Sequence, residues 1–201
     1  MENFEEIMER KIKITRQTTE TAIEVELDLD GTGNYGIETP LPFFNHVLSS
    51  FARHGHFDLF IKATGDVDTD PHHLIEDVGI CLGQAIAQCL SDKKGISRFG
   101  FAVIPMDESR VTVALDIGGR PFLVYSADML NEKIGNMPTM LVEDFFAALT
   151  GNALINLHID KNSGTNSHHI IEAIFKAFGI ALRKAVEKSS GSSIPSTKGV
   201  I

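Results

Sequence analysis

Apolar and polar residues alternate along two stretches near the start, 11–16 and 22–29, where Ile12 and Ile14, then Ile23, Val25, Leu27 and Leu29, take every second position. A period of two marks strands with one buried face, and Asp30-Gly31-Thr32-Gly33 closes the second run with turn-forming residues. From Pro42, which suits the first turn of a helix, Phe43, Val47, Leu48 and Phe51 recur at helical spacing and predict a helix over 42–54. Phe57 to Ala63 returns to alternation, Gly65-Asp66 turns, and a long helix comes next over 72–92. The order then repeats: strands near 99–105 and 110–117, a helix near 139–150, a strand near 153–160 and a helix near 168–187.

The repetition reaches individual residues. Glu20-Thr21, Leu27-Asp28 and Gly31 match Glu108-Ser109, Leu115-Asp116 and Gly119 at a constant offset of 88, and His72-His73-Leu74-Ile75-Glu76 matches His168-His169-Ile170-Ile171-Glu172 at 96. These offsets imply duplication with fusion, and with it an α+β fold of duplicated half-domains, each a roughly four-stranded sheet with two helices packed on one face. The expected boundary is the loop Ser91 to Gly95, dividing the chain into half-domains at 1–93 and 94–187 and a tail at 188–201. Residues 188–196 are small and polar, and composition alone predicts a flexible tail.

Composition narrows the function classes. At 201 residues, 43% of them hydrophobic, the chain can bury a substantial core. No apolar run approaches the roughly 20 residues of a membrane span, and residues 1–10 are acidic and polar rather than a signal segment. A cytosolic protein is expected. Cys81 and Cys89 lie eight apart in one predicted helix, too far along its axis for a disulfide. A net charge of −9 argues against nucleic acid or anionic membrane as partners. It leaves room for a small anionic substrate where basic residues converge.

On a helix, positions four apart stack while neighbours diverge by about 100°. His72 can therefore act with Glu76, and His168 with Glu172, while His73 and His169 aim elsewhere. Two such motifs together suit two metal ions, and imidazole with carboxylate suits Mn, Fe, Ni, Co or Zn. The chain has no Cys–His spacing of a structural zinc site. His46 lies on the predicted helix 42–54, and His158 in the strand 153–160, where a lone histidine ordinarily belongs to core or edge. His54 and His56 read as structural, at a helix end where cationic side chains suit the dipole.

Leu41-Pro42-Phe43-Phe44-Asn45-His46, Phe51-Ala52-Arg53-His54-Gly55, both His-His blocks, Gly95-Ile96-Ser97-Arg98-Phe99-Gly100, Met106-Asp107-Glu108, Gly119-Arg120-Pro121 and Pro195-Ser196-Thr197-Lys198-Gly199 together resemble the imidazoleglycerol-phosphate dehydratases of histidine biosynthesis, in order from about residue 10 to the end. The resemblance implies a duplicated fold, two manganese ions per active site, and a 24-subunit cage of trimers with active sites between subunits. Carried over by motif, it makes His46, His72, His73, Glu76, His158, His168, His169 and Glu172 the metal ligands, with His46 and Glu172 at the catalytic centre. Arg98, Arg120, Lys176, Ser196 and Lys198 would hold the substrate phosphate, since guanidinium forks and ammonium groups are what that dianion needs. The tail would then order over the site, and Glu20 would be the acid–base residue that also touches substrate.

The implied reaction is loss of water from imidazoleglycerol phosphate, giving imidazole-acetol phosphate through an imidazolate and a diazafulvene-like intermediate. Glu20 would take the proton whose loss gives the enol. Three features depart from the family pattern: Asn45 replaces an expected aspartate, Glu38-Thr39-Pro40-Leu41 a Thr-Gly-Ile approach, and Met137 to Met140 a more acidic stretch. None removes a ligand, and the chain has no room for the phosphatase domain fused to some relatives. The rival functions are a dinuclear metallohydrolase acting on a phosphorylated substrate and a metal-binding cage without catalysis.

Overall fold

The computed structural model describes residues 10–189, 191 and 193–201. Residues 1–9, which make up most of the acidic start, and the tail residues Ser190 and Ser192 lie outside the described residues. Strands β1 (Lys11–Gln17) and β2 (Thr21–Asp28) pair antiparallel with Ile14 opposite Val25. Because strand residues alternate between faces, Ile23, Val25 and Leu27 are buried, while Lys13 faces out and pairs with Glu24 and Glu26. β4 (Asp58–Gly65) lies antiparallel to β2, and β3 (Tyr35–Glu38) closes the sheet parallel to β4, in the order β1-β2-β4-β3.

The second half repeats this plan. β5 (Phe99–Met106), β6 (Ser109–Asp116), β7 (Phe122–Ser126) and β10 (Asn156–Ser163) form a sheet ordered β5-β6-β10-β7. Hydrophobic periodicity does not resolve β3 or β7, because these short edge strands alternate no buried residue with an exposed one. It also misses the small hairpin of β8 (Lys133–Ile134) and β9 (Met137–Pro138), which takes up the residues just before the third helix.

Helices α1 (Pro42–Gly55) and α2 (His72–Leu90) cover the first sheet; α3 (Leu141–Ala153) and α4 (Ser167–Val186) cover the second. Between the sheets α1 meets α4 and α2 meets α3. Phe51 stacks on Phe178 at 5.2 Å between ring centroids, and Phe145 on Phe175 at 5.3 Å. Each buried ring contributes roughly 1.5–3 kcal/mol over leaving it exposed. Gly83 on α2 and Gly179 on α4 occupy equivalent places in the repeat and let the helices touch: an added Cβ would lie 2.5 Å from Leu149 O in one case and 2.6 Å from Phe51 O in the other. No described helix is long and apolar enough to cross a membrane.

Candidate metal and phosphate site

Both His-His helices begin with the same device. Asp70 accepts a hydrogen bond from His72 N–H at 2.9 Å, and Asn166 accepts one from His168 N–H at 3.0 Å. These bonds satisfy amides that a helix start leaves free and fix where the first turn points its imidazoles.

On α4, Glu172 is buried and its Oε2 lies 3.1 Å from His46 Nε2 on α1 and 3.2 Å from His168 Nε2. Lys176 Nζ donates to the other oxygen at 2.7 Å, and the Phe43 ring packs on His168. Burial pushes the Glu172 carboxyl up, but the Lys176 ammonium and His46 outweigh it and bring it down to about 2. His46, His168 and Glu172 each offer one ligand atom, all within 4.8 Å of one another. Two imidazole nitrogens and a carboxylate oxygen, drawn together in a partly closed place, suit a divalent transition metal.

The same spacing on α2 gives a more open arrangement. His72 Nε2 is 3.8 Å from Glu76 Oε2, and its Nδ1 is 3.5 Å from Asp144 on α3. His73 turns away toward Asp66 at 3.2 Å and Glu20 at 3.7 Å. Asp66 raises the His73 pKa, and Glu20, Asp66 and His73 form a second three-donor group. His169, at the position matching His73, hydrogen-bonds Glu108 Oε2 through Nδ1 at 2.8 Å. That contact raises the imidazole and holds the Glu108 carboxyl well below the usual carboxylate range.

A third group lies at the tail. Arg98 grips Asp116 through Nε at 2.6 Å and Nη2 at 3.0 Å, and its Nη1 donates to Pro195 O at 2.9 Å. Gly95 N–H donates to Ser193 O, Ser189 N–H to Gly95 O, and Lys188 bridges Ile96, so the described tail residues run back along this loop. Arg98, Arg120, Ser196 and Lys198 line a cleft of about 460 Å³ with Gly118 and Gly119. Three cations and a hydroxyl around so small a space form a suitable cradle for a phosphate.

The structure thus gathers His46, His168, Glu172 and Lys176 in one group, Glu20 and His73 in another, and Arg98, Arg120, Ser196 and Lys198 in a third. His72 and Glu76 face each other nearby in sequence on α2. It brings His158 to none of them: Leu157 and Ile159 point into the core, so alternation turns His158 outward, beside Ala114 and Val124. Sequence reasoning misses Asp66 and Asp144, which carry no motif; Asp66 reads as a turn residue, and Asp144 as a polar position before Phe145-Phe146. It also leaves His54 as structural. His54 sits where burial, and then the nearby Lys176, lower its pKa. Asn45 leaves His46 alone: its amide donates to Thr39 O at 3.0 Å and its oxygen accepts from Thr39 N–H and Oγ1. An aspartate at position 45 could not make that donation.

Among known proteins, the imidazoleglycerol-phosphate dehydratase family matches residues 39–182. The imidazoleglycerol-phosphate dehydratase of Methanococcoides burtonii is 56% identical over 192 residues, covering 96% of this chain and 100% of the relative. That of Acetivibrio thermocellus is 52% identical over 195 residues, with 96% and 100% covered. Among solved structures, the Staphylococcus aureus dehydratase superposes with a TM-score of 0.80 at 40% identity, over 89% of this chain and 100% of that one. The Pyrococcus furiosus structure gives 0.81 at 36% identity, over 94% and 100%.

Proposed function

The chain belongs to the imidazoleglycerol-phosphate dehydratase family, hydro-lyases of histidine biosynthesis, and on that premise we propose a di-metal dehydration in which its two His-His-x-x-Glu helices supply the ligands. The observation that carries the reading is the Glu172 oxygen shared at 3.1 and 3.2 Å by two imidazoles from different helices. Two imidazole rings converging on one carboxylate provide the donor types a divalent ion needs. We assign His46, His168 and Glu172 to one ion and the α2 motif, with His72 and Glu76 on one face and His73 beside Glu20 and Asp66 on another, to the second, with His169 on α4 completing the set between copies of the chain. His158 reaches a metal only from another copy of the chain, so its ligand role depends on assembly. Manganese is our proposed metal, two ions per active site.

Divalent ions in these groups would polarise an imidazole ring, lower its N–H pKa and stabilise a departing hydroxide. The protein's own residues do the rest. Arg98, Arg120, Ser196 and Lys198 bind the phosphate, and the tail closes the cleft over it. Lys176 offsets the Glu172 charge and stands ready for an anionic substrate. As the C–O bond breaks and hydroxide leaves, the exposed Glu20 carboxylate takes the proton from the adjacent carbon, and the enol that results becomes the ketone.

Self-association is part of the proposal. The outer face of the second sheet carries Phe99, Phe101, Val103 and Phe122, each more than half exposed, where the first sheet presents Lys13, Glu24 and Glu26. A cage of trimers would cover that apolar face and bring His158 to a neighbour. A cytoplasmic location fits a biosynthetic enzyme of this kind.

The test monitors both products. Metal-free protein is loaded with Mn(II), supplied with imidazoleglycerol phosphate, and assayed for imidazole-acetol phosphate and for free phosphate, with Glu20→Gln beside it. Metal-dependent keto product without phosphate, lost in the variant, is expected. Phosphate release would mean a hydrolase, and metal binding with neither product a cage without catalysis.

A further inference from the structure

Glu20 and Glu108 occupy matching places in the two halves, yet they are held differently. Glu108 accepts hydrogen bonds from Ser109, from Asn166 N–H and from His169, at 2.8, 2.9 and 2.8 Å. Glu20 has one near partner among the described residues, His73 at 3.7 Å, and its side chain is half exposed. The turn beneath Glu20 is what positions it. Thr18 Oγ1 accepts from the N–H groups of Glu20 at 3.1 Å and Thr21 at 2.9 Å, and lies 3.1 Å from Thr21 Oγ1. Thr21 Oγ1 in turn donates to Asp77 on α2, a carboxylate only 6% exposed whose other oxygen accepts from Arg16 Nε at 2.7 Å.

Counting donors makes this chain directional. A hydroxyl has one proton to give and two lone pairs. Thr18 spends both lone pairs on amides, so its proton goes to Thr21, and the Thr21 proton must then go to Asp77. The chain ends on a group able to accept twice, from Thr21 and from Arg16. The second half has no such device: Ala173 stands at the place of Asp77 and Ile104 at that of Arg16.

We propose that Asp77 is a positioning residue for the dehydration: by anchoring Thr21 and Thr18 it fixes the turn that presents the Glu20 carboxylate beside His73. The proposal rests on Glu20 being the acid–base residue. An asparagine at position 77 keeps the size but turns an N–H₂ toward either Arg16 or Thr21. Toward Arg16 it sets donor against donor, and toward Thr21 it forces the hydroxyl chain to reverse against two amides that already point at Thr18. Even a displacement of about 1 Å at a reacting group can cost on the order of a hundred-fold in rate.

The experiment compares wild type, Asp77→Asn, Thr21→Val, Glu20→Gln and the Asp77→Asn/Glu20→Gln double variant as manganese-loaded full chains. For Asp77→Asn and Thr21→Val we expect kcat to fall about ten- to a hundred-fold, with KM and metal content close to wild type, a lowered thermal midpoint from the lost buried hydrogen bond, and faster amide exchange at residues 18–21. In the Glu20→Gln background Asp77→Asn should lower kcat no further. If Asp77→Asn does not fold, Thr21→Val carries the test, since it leaves the Arg16 pair intact. Unchanged kcat in the variant that folds, or kcat, KM and metal content falling together, would overturn the positioning role. Full activity in Glu20→Gln would instead overturn the acid–base reading on which it rests.

Discussion

Arg10 and Arg98 stand in matching places just before the first strand of each half, and the contrast between them is instructive. Arg10 is tied off: Nε donates to Asp30 at 2.9 Å and Nη1 to Val186 O at 2.6 Å. Arg98 forks to Asp116 instead, its Nη1 donates to Pro195 O in the tail rather than to a helix end, and it lines the cleft with Arg120, Ser196 and Lys198. The difference comes from the segment that succeeds each half. After α4 the chain has a tail to lay beside Arg98, whereas after α2 it runs through a short loop into β5. The carboxylates diverge similarly: Glu172 is buried and shared by two imidazoles and a lysine, and Glu76 is half-buried with His72 at 3.8 Å. Duplication repeats a backbone and its donors, and segments outside the repeat assign those donors different work.

The largest expected break in this comparison is Glu172→Gln. It removes the charge and turns an N–H₂ toward either Lys176 or the two imidazoles at a buried place, where losing one member of a charged pair costs about 3–5 kcal/mol. Turnover should fall by at least about a thousand-fold, with loss of bound metal by elemental analysis. Arg98→Ala comes next. Losing a charge-assisted contact to phosphate of roughly 1.5–3 kcal/mol should raise KM by about ten- to a hundred-fold, while Arg10→Ala leaves KM unchanged and lowers only the thermal midpoint.

Gly83→Ala and Gly179→Ala sharpen the symmetric side of the comparison. Each forces a methyl against a carbonyl of the facing helix, and each should cost roughly 1–3 kcal/mol in denaturant unfolding; a large inequality would mean that the two crossings are not equivalent. The smallest effect concerns pH. The Arg10 guanidinium beside Asp30 holds its carboxyl at about 2 against an ordinary 3.8. A depressed carboxylate stabilises the fold above its ordinary pKa and loses that contribution as pH falls through the folded value. Because Asp30 is 39% exposed, solvent screening limits the gain to less than about 1 kcal/mol. The gap in thermal midpoint between Arg10→Ala and wild type should therefore narrow between about pH 4 and 2, leaving the part due to the Val186 O contact.

The duplicated plan is legible because burial writes its period into the sequence. Ile23, Val25 and Leu27 announce a strand, and His72 with Glu76 a helical face, before any coordinates exist. β3 and β7 are not legible, since short edge strands without full burial carry no alternation. The His46–Glu172 contact joins α1 to α4 and no local spacing encodes it; only the family resemblance points there. Asp66, Asp144 and Asp77 escape for a related reason: their roles come from the groups that tertiary packing sets beside them. His158 illustrates the converse, a histidine implied by resemblance that its own strand turns outward.

The central claim is that two repeated helices supply two metal sites to one dehydration, and manganese stoichiometry measured alongside turnover tests it most directly. Metal-free chain titrated with Mn(II) should bind two ions per chain, and imidazole-acetol phosphate should form without phosphate release only once the second ion is bound. Full turnover with a single ion per chain would contradict the account.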